Sequence, residues 1–414
     1  MARRVNKRFL VVLTIVVGGG LLAMLAVVLL TREKVDVSKL VAQAEQAALS
    51  GDRLKASDLY ARAANAAPGD ADLQNKAGEA ALAATQDDPE FLRRAQAFWI
   101  RGLQASPGHA PSLRNLMNFM IELADLQPNP AAFQEVADYA SRLAQVDPND
   151  RRAQAYQHIG RIGAWLEGGT VPDSEVRKSR EELNRLRREL PDLPDVPYYL
   201  ARAYVKDMDR ERAVADRDEK RARAEEVFEQ ALANQAENGQ MHFRHYEVLR
   251  LLIDRVPAEQ RRLYGEKALE ALRAAGRFVK ANDPRHVEIV TRSIELRAQR
   301  TGDQAAVEAA AAELRELLKS YPKDSRLRFA LAHMLRFVPD SEKERLELLS
   351  APVEGDPSLV GFRSTLRRQL ELRRYLSLAL LKLEIHGETI DEAVRKQLIA
   401  EAEDLESRLR QSLP

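Results

Sequence analysis

His242 and His245 stand three residues apart, a spacing that sets two imidazoles on one helix face and could begin a metal site. No carboxylate completes an HExxH set around them, and the other five histidines are isolated. A second compact polar set, Glu384, His386, Glu388 and Asp391, lies near a helix break, where converging carboxylates could do acid–base chemistry. A plain helix–turn–helix connection explains it equally well. The sequence contains no P-loop, no GxGxxG, no GxSxG and no DxDxDG calcium loop. It has no cysteine, which removes thiol nucleophiles, disulfides and thiolate-ligated metals together. The expectation is a non-enzyme with no catalytic, cofactor-binding or metal residues.

The elements that would position these side chains are set by a repeat. Ala56, Tyr60, Ala63 and Pro68 have a spacing that recurs at Ala95, Trp99, Gly102, Pro107 and at Val136, Ala140, Leu143, Pro148. It returns at Ser179, Leu183, Leu186, Pro191 and at Ala310, Leu314, Leu317, Pro322. Two copies lack the proline: Ala224, Phe228, Ala231 and Ala268, Leu272, Ala275. Offsets of four and seven stack three residues on one helix face, small residues admitting a neighbouring helix and the bulky one filling the gap. The proline then ends the helix. Asp70, Asp150 and Asp324 follow their prolines by two, where the next helix needs a cap. A second packing set falls on that next helix, as at Ala77, Gly78, Ala81 or Leu331, Ala332, Leu335. By this register His245 and His242 face neighbouring helices, a structural role.

This pattern resembles the tetratricopeptide repeat (TPR) family at its small–large–small–proline half, most closely over residues 37–150. The resemblance implies an all-α fold, an α–α superhelix whose inner groove holds protein segments. Some members clamp peptide C-termini with basic and asparagine residues on the first helix of each repeat. Val41 and Glu45 occupy the corresponding positions of the first unit, so that use is not expected here. Independently of the family, a stack in which each pair buries only its neighbour-facing sides builds a continuous core and needs a capped end.

Ahead of the repeats, an apolar run from Phe9 to Leu30 is long enough to cross a bilayer core of about 30 Å. It is too long for a signal-peptide core and lacks a cleavage site at its end, so an uncleaved signal-anchor is expected. Arg3, Arg4, Lys7 and Arg8 precede it as a compact basic cluster, which orients the N-terminus to the cytoplasm. The repeat domain would then be extracytoplasmic, periplasmic in a bacterium. The predicted division is a basic flank at 1–8, the membrane helix at 9–30, a linker at 31–36, TPR-like repeats at 37–350 and a helical cap at 351–414. Within the cap, 356–386 reads as one long helix striped by Leu359, Phe362, Leu366, Leu370, Leu380 and Leu383, and 388–412 as a final charged helix. An arginine cluster at 363, 367, 368, 373 and 374 is expected on its outer face.

The net charge is +1, of which +4 lies in the first 36 residues, leaving the rest near −3. A near-neutral domain lacks the basic face that nucleic acid requires. The partners expected are proteins and, through residues 9–30, a membrane, with no cofactor. Asn75, Glu79, Asn115, Asn118 and Arg202 lie on the first helices of their pairs but off the packing set, which makes them the candidate groove residues. The functional expectation is a membrane-anchored scaffold or adaptor for a cell-envelope, secretion or assembly complex. The alternatives are a self-associating structural protein, with Gly19 and Ala23 able to pair two anchors as a homo-oligomer, or an enzyme or carbohydrate-binding module in the C-terminal part.

Overall fold

The computed structural model describes residues 36–386, apart from 89, 281, 282, 284, 302, 354, 355 and 357–365. The expected membrane helix, its basic flank and the final charged helix lie outside the described residues. Among those residues there is no strand, and no helix is long and apolar enough to cross a membrane.

Among the described residues, seventeen helices follow one another. Eight pairs comprise α1 (Val37–Leu49) with α2 (Arg53–Ala66), α3 (Ala71–Ala84) with α4 (Phe91–Ala105), α5 (Ala110–Leu126) with α6 (Pro130–Val146), and α7 (Arg151–Leu166) with α8 (Asp173–Glu189). They continue as α9 (Asp195–Arg210) with α10 (Val214–Asn234), α11 (Gly239–Ile253) with α12 (Ala258–Phe278), α13 (His286–Thr301) with α14 (Gln304–Ser320), and α15 (Ser325–Leu335) with α16 (Glu342–Ser350). A last described helix, α17 (Leu366–His386), follows.

Many of the starts have a local cause. Asp70, Asp150 and Asp324 accept the backbone N–H of Leu73, Ala153 and Leu327 at 2.9, 2.9 and 3.0 Å, as their place after a proline requires. Asp36, Asp52, Asn129, Asn238 and Asp303 do the same for α1, α2, α6, α11 and α14. The small–large–small positions of the seven repeat motifs fall on α2, α4, α6, α8, α10, α12 and α14 and are buried save for Leu317, which is half-buried, while the prolines lie past the helix ends.

Consecutive helices pack along the whole series. Beyond that, odd-numbered helices touch odd-numbered ones, α3 with α5, α5 with α7, α7 with α9, α9 with α11, α13 with α15 and α15 with α17. Even-numbered helices stand farther apart and meet through side-chain bridges, as Arg101 to Asn65 at 3.1 Å between α4 and α2 and Arg187 to Gln230 at 2.7 Å between α8 and α10. The odd helices therefore form the inner layer of an α–α solenoid and the even ones its outer layer. The inner seam thins between α11 and α13.

The closest approach is α6 against α7. A Cβ added at Gly160 would lie 2.6 Å from both the Ala137 nitrogen and the Phe133 carbonyl oxygen, so only glycine admits the neighbouring backbone. The C-terminal stripe differs from expectation. Leu366 and Leu370 pack on the core, but the fully buried residue is Leu381, and Leu380 faces outward. Arg374, expected on the outer face, is buried and donates to Glu371 at 2.8 Å and to the carbonyls of Leu349 and Ser350 at 3.3 Å.

Gly160→Ala is expected to cost about 1–3 kcal/mol through backbone overpacking. Gly69→Ala, whose added carbon meets nothing within 4 Å, is expected to change little. Urea unfolding followed by circular dichroism checks both.

Candidate functional site

On α5, Asn115, Asn118, Glu122 and Asp125 are spaced three, four and three residues apart, which aligns them on one face of the inner layer. At its end Asp125 meets Arg244 of α11, 119 residues further along the chain. Arg244 is 7 % exposed and also donates to Asp195 of α9 at 2.8 Å and to Glu247 at 3.0 Å. The Tyr199 hydroxyl donates to Asp125, and the Tyr156 hydroxyl to Asp195 at 3.0 Å. The Tyr198 ring lies flat under the guanidinium, 4.2 Å away. Burial works against the charge on Arg244, but Asp125, Asp195 and Glu247 outweigh it and hold the group firmly protonated. The inner layer thus curls until its third pair touches its fifth and sixth. Arg285 extends the crossing, its guanidinium 3.7 Å from Glu122.

Beside this clasp, where the α11–α13 seam thins, the inner layer encloses a cavity of about 770 Å³. Its walls come from α5, α11, α13, α15 and α17. Charge inside is mostly spent in pairs: Arg292 and Arg326 converge on Glu288 at 2.8 and 2.9 Å. Two groups on α13 are not spent. The Thr291 hydroxyl is buried without a hydrogen-bond partner. One turn on, Glu295 faces the same space, its carboxyl raised by burial while Arg292 and Arg373 pull it back only in part. The wall therefore offers a donor–acceptor hydroxyl and a carboxyl one helical turn apart, at the spacing of alternate residues in an extended chain.

The sequence-derived candidates fall on the inner layer but outside this cavity's lining. Asn75 is buried between α3 and α5, where its amide donates to Glu79 at 2.9 Å and its oxygen accepts from Asn115 at 3.0 Å. Asn115 also donates to Glu79 at 3.2 Å, so these three form one cluster. Asn118 is exposed one turn before Glu122. Arg202 pairs with Glu167 at 2.9 Å and lies over Tyr198 and Tyr199, next to the clasp. Sequence reasoning missed Arg244, Thr291 and Glu295. Arg244 stood adjacent to the histidine assigned to packing, and no local spacing links it to Asp125.

The two histidines sit in the packing places the repeat register gave them. His245 stacks on Phe228 with ring centres 4.9 Å apart, and His242 on Phe278 at 5.8 Å with its Nε2 2.8 Å from the Ala236 carbonyl. Glu384 is engaged by Arg345 at 3.0 Å, while Glu388 and Asp391 lie outside the described residues. Among the described residues no group of three or more histidine, aspartate or glutamate side chains is arranged to hold a metal.

No protein-family model matches the sequence, and no curated protein does. Solved structures similar to it include the TPR domain of P58(IPK), 11 % identical, covering 91 % of this chain and 99 % of that one with a TM-score of 0.26. Yeast Tom70 is 13 % identical over 90 % and 96 % of the two chains, with a TM-score of 0.23. Naa15/Naa10 bound to HypK-THB is 12 % identical over 90 % and 75 %, with a TM-score of 0.26. At such TM-scores the likeness carries no weight for shape or ligand, and the solenoid rests on the helix pairing described above.

Arg244→Met is expected to cost about 3–5 kcal/mol, because it removes a buried cation and strands the half-buried Asp125 and Asp195. Arg244→Lys should recover part of this but not the forked geometry. Chemical unfolding measures both. A buried and a half-buried imidazole add a pH dependence. Burial first, then Arg161, brings His158 down to about 4, and burial with His242 and Lys267 brings His245 to about 4. Both titrate near 6.5 when unfolded. Between about pH 6.5 and 4 the unfolded chain binds these protons and the folded one does not, so stability falls as pH falls through that window. His158→Gln with His245→Phe should flatten that slope relative to the parent, read as urea midpoints at pH 7 and 4.5.

Proposed function

We propose that the protein is a scaffold tethered to a membrane by residues 9–30, with its N-terminus cytoplasmic and its solenoid extracytoplasmic, and that its inner layer holds an extended segment of a protein partner. The observation that carries the binding reading is the cavity walled by five inner helices, in which Thr291 and Glu295 remain unspent although the other buried charges are paired. A buried polar group without a partner is costly, and a ligand that supplies one recovers that cost. An extended peptide backbone offers donors and acceptors at the matching interval. The exposed Asn118 and Glu79 extend the same inner surface toward the tethered end. A cell-envelope or assembly role follows from the tether and from nothing else in the chain.

A photo-crosslinking residue at Gln299, exposed on the same wall, tests the groove in the intact membrane-bound chain. The expected result is a discrete crosslinked partner that disappears with Thr291→Arg and Glu295→Arg, while far-ultraviolet circular dichroism stays unchanged. Equal capture from Glu229 on the outer helix α10 would overturn the groove assignment. Separately, the intact chain should resist alkaline extraction from membranes, and a chain lacking residues 2–35 should not.

A further inference from the structure

The inner layer does not stop at its eighth pair. Helix α17 contacts α15 in the odd-to-odd manner that joins most inner helices, and it packs on α16 through Leu378 and Leu381. Each earlier inner helix is followed by an outer helix that covers it. Among the described residues α17 has no such partner, and its far side shows why one is needed. Leu376 is 48 % exposed and Leu380 65 %, four residues apart on one face. An amphipathic surface helix carries one apolar stripe, and a helix apolar on two sides is a covered one.

Next to Leu380 the same face opens into a second cavity, of about 300 Å³, between α15, α16 and α17. Phe329, Ala332 and Leu349 form its floor, and His333, Arg336, Arg345 and Arg373 ring it. Glu384 is the single acid in that ring and is already engaged by Arg345 at 3.0 Å. Arg345 is 7 % exposed, yet its Nε has no hydrogen-bond partner. The pocket is thus apolar at its base and basic at its rim, and one of its buried donors is unused. Helix α17 itself carries five basic and two acidic residues.

The occupant's chemistry is therefore a helix with an apolar stripe and acidic flanks. The 28 residues that follow His386 have that make-up. Ile390, Val394, Leu398, Ala402, Leu405 and Leu409 fall on one helical stripe, at intervals of four, four, four, three and four. Seven acids against four bases give the segment a net charge of −3, opposite to the +3 of α17. It also begins where the outer helix of a ninth pair would begin.

We infer that residues 388–412 dock on the Leu376–Leu380 face of α17, with their acidic residues toward His333, Arg336 and Arg373, so that the chain closes its own solenoid in cis. Because Leu366, Gln369, Leu370 and Arg373 also wall the large cavity, the docked segment braces the far side of the partner groove.

The absence of native cysteine makes the test direct. Leu380→Cys is placed in the full chain in a lipid nanodisc, and its alkylation rate is compared with that of Leu49→Cys, a position 90 % exposed. The expected rate at Cys-substituted position 380 is at least about tenfold slower, since alkylation there must wait for local opening of the docked segment. Leu398→Asp with Leu405→Asp should restore it without changing the rate at position 49 or the helical signal. Arg336→Glu with Arg373→Glu should also raise it. Equal rates at the two positions would overturn the inference. So would protection that is lost on dilution, which would assign the face to a second copy of the chain, or protection that survives the tail substitutions undiminished.

Discussion

Everything about the inner surface depends on one buried guanidinium. A helix-pair stack takes its curvature from the small rotation between successive pairs, and a link across the axis holds that curvature in one register. Arg244 makes such a link, drawing carboxylates from α5 and α9 onto α11. Hydrogen bonds from Tyr156 and Tyr199 satisfy the carboxylates, and the Tyr198 face covers the cation. Such a cluster adds little net stability compared with an apolar packing of equal volume, but it is costly to break on one side only. It therefore acts as a register device: the layer closes in the one geometry that satisfies every member.

The remaining architecture follows from the division of labour between layers. Outer helices carry the small–large–small motif and are bound to the stack by shape, with Gly160 and Gly163 of inner helix α7 admitting the backbone and the Phe133 ring of outer helix α6. Inner helices carry the polar residues that face the axis. This explains why outer helices range from 9 residues in α16 to 21 in α10 and α12 while the groove stays continuous. The unequal spacing of the prolines from 68 to 191 comes from both layers, α3, α5 and α7 running 14, 17 and 16 residues and α4, α6 and α8 running 15, 17 and 17.

The repeat, the helix pairs and the aspartate caps could all be read from the sequence, because each depends on residues within one helical turn or one short loop of each other. Ala56, Tyr60 and Ala63 declare their helix face by spacing alone. The inner-layer location of Asn115, Asn118 and Arg202 was legible for the same reason. The site itself was not. Asp125 and Arg244 are joined by the superhelix and by nothing in the local pattern, and Thr291 and Glu295 acquire their character from burial that only the closed layer creates. Asn75 shows the converse error: a polar residue off the packing stripe is still spent inside the protein when a neighbouring helix offers it an amide.

The looser packing between outer helices, which meet through side-chain bridges, has a mechanical consequence. Pulling the first and last pairs apart straightens the curl, which crowds those bridges and pulls inner helices away from each other. Resistance then falls on the inner seam and on the cross-axis clasp formed by Arg244 with Asp125 and by Arg285 with Glu122. The solenoid is a latched spring: small extensions are borne elastically, and release of the clasp widens the groove at that point while each helix pair stays intact.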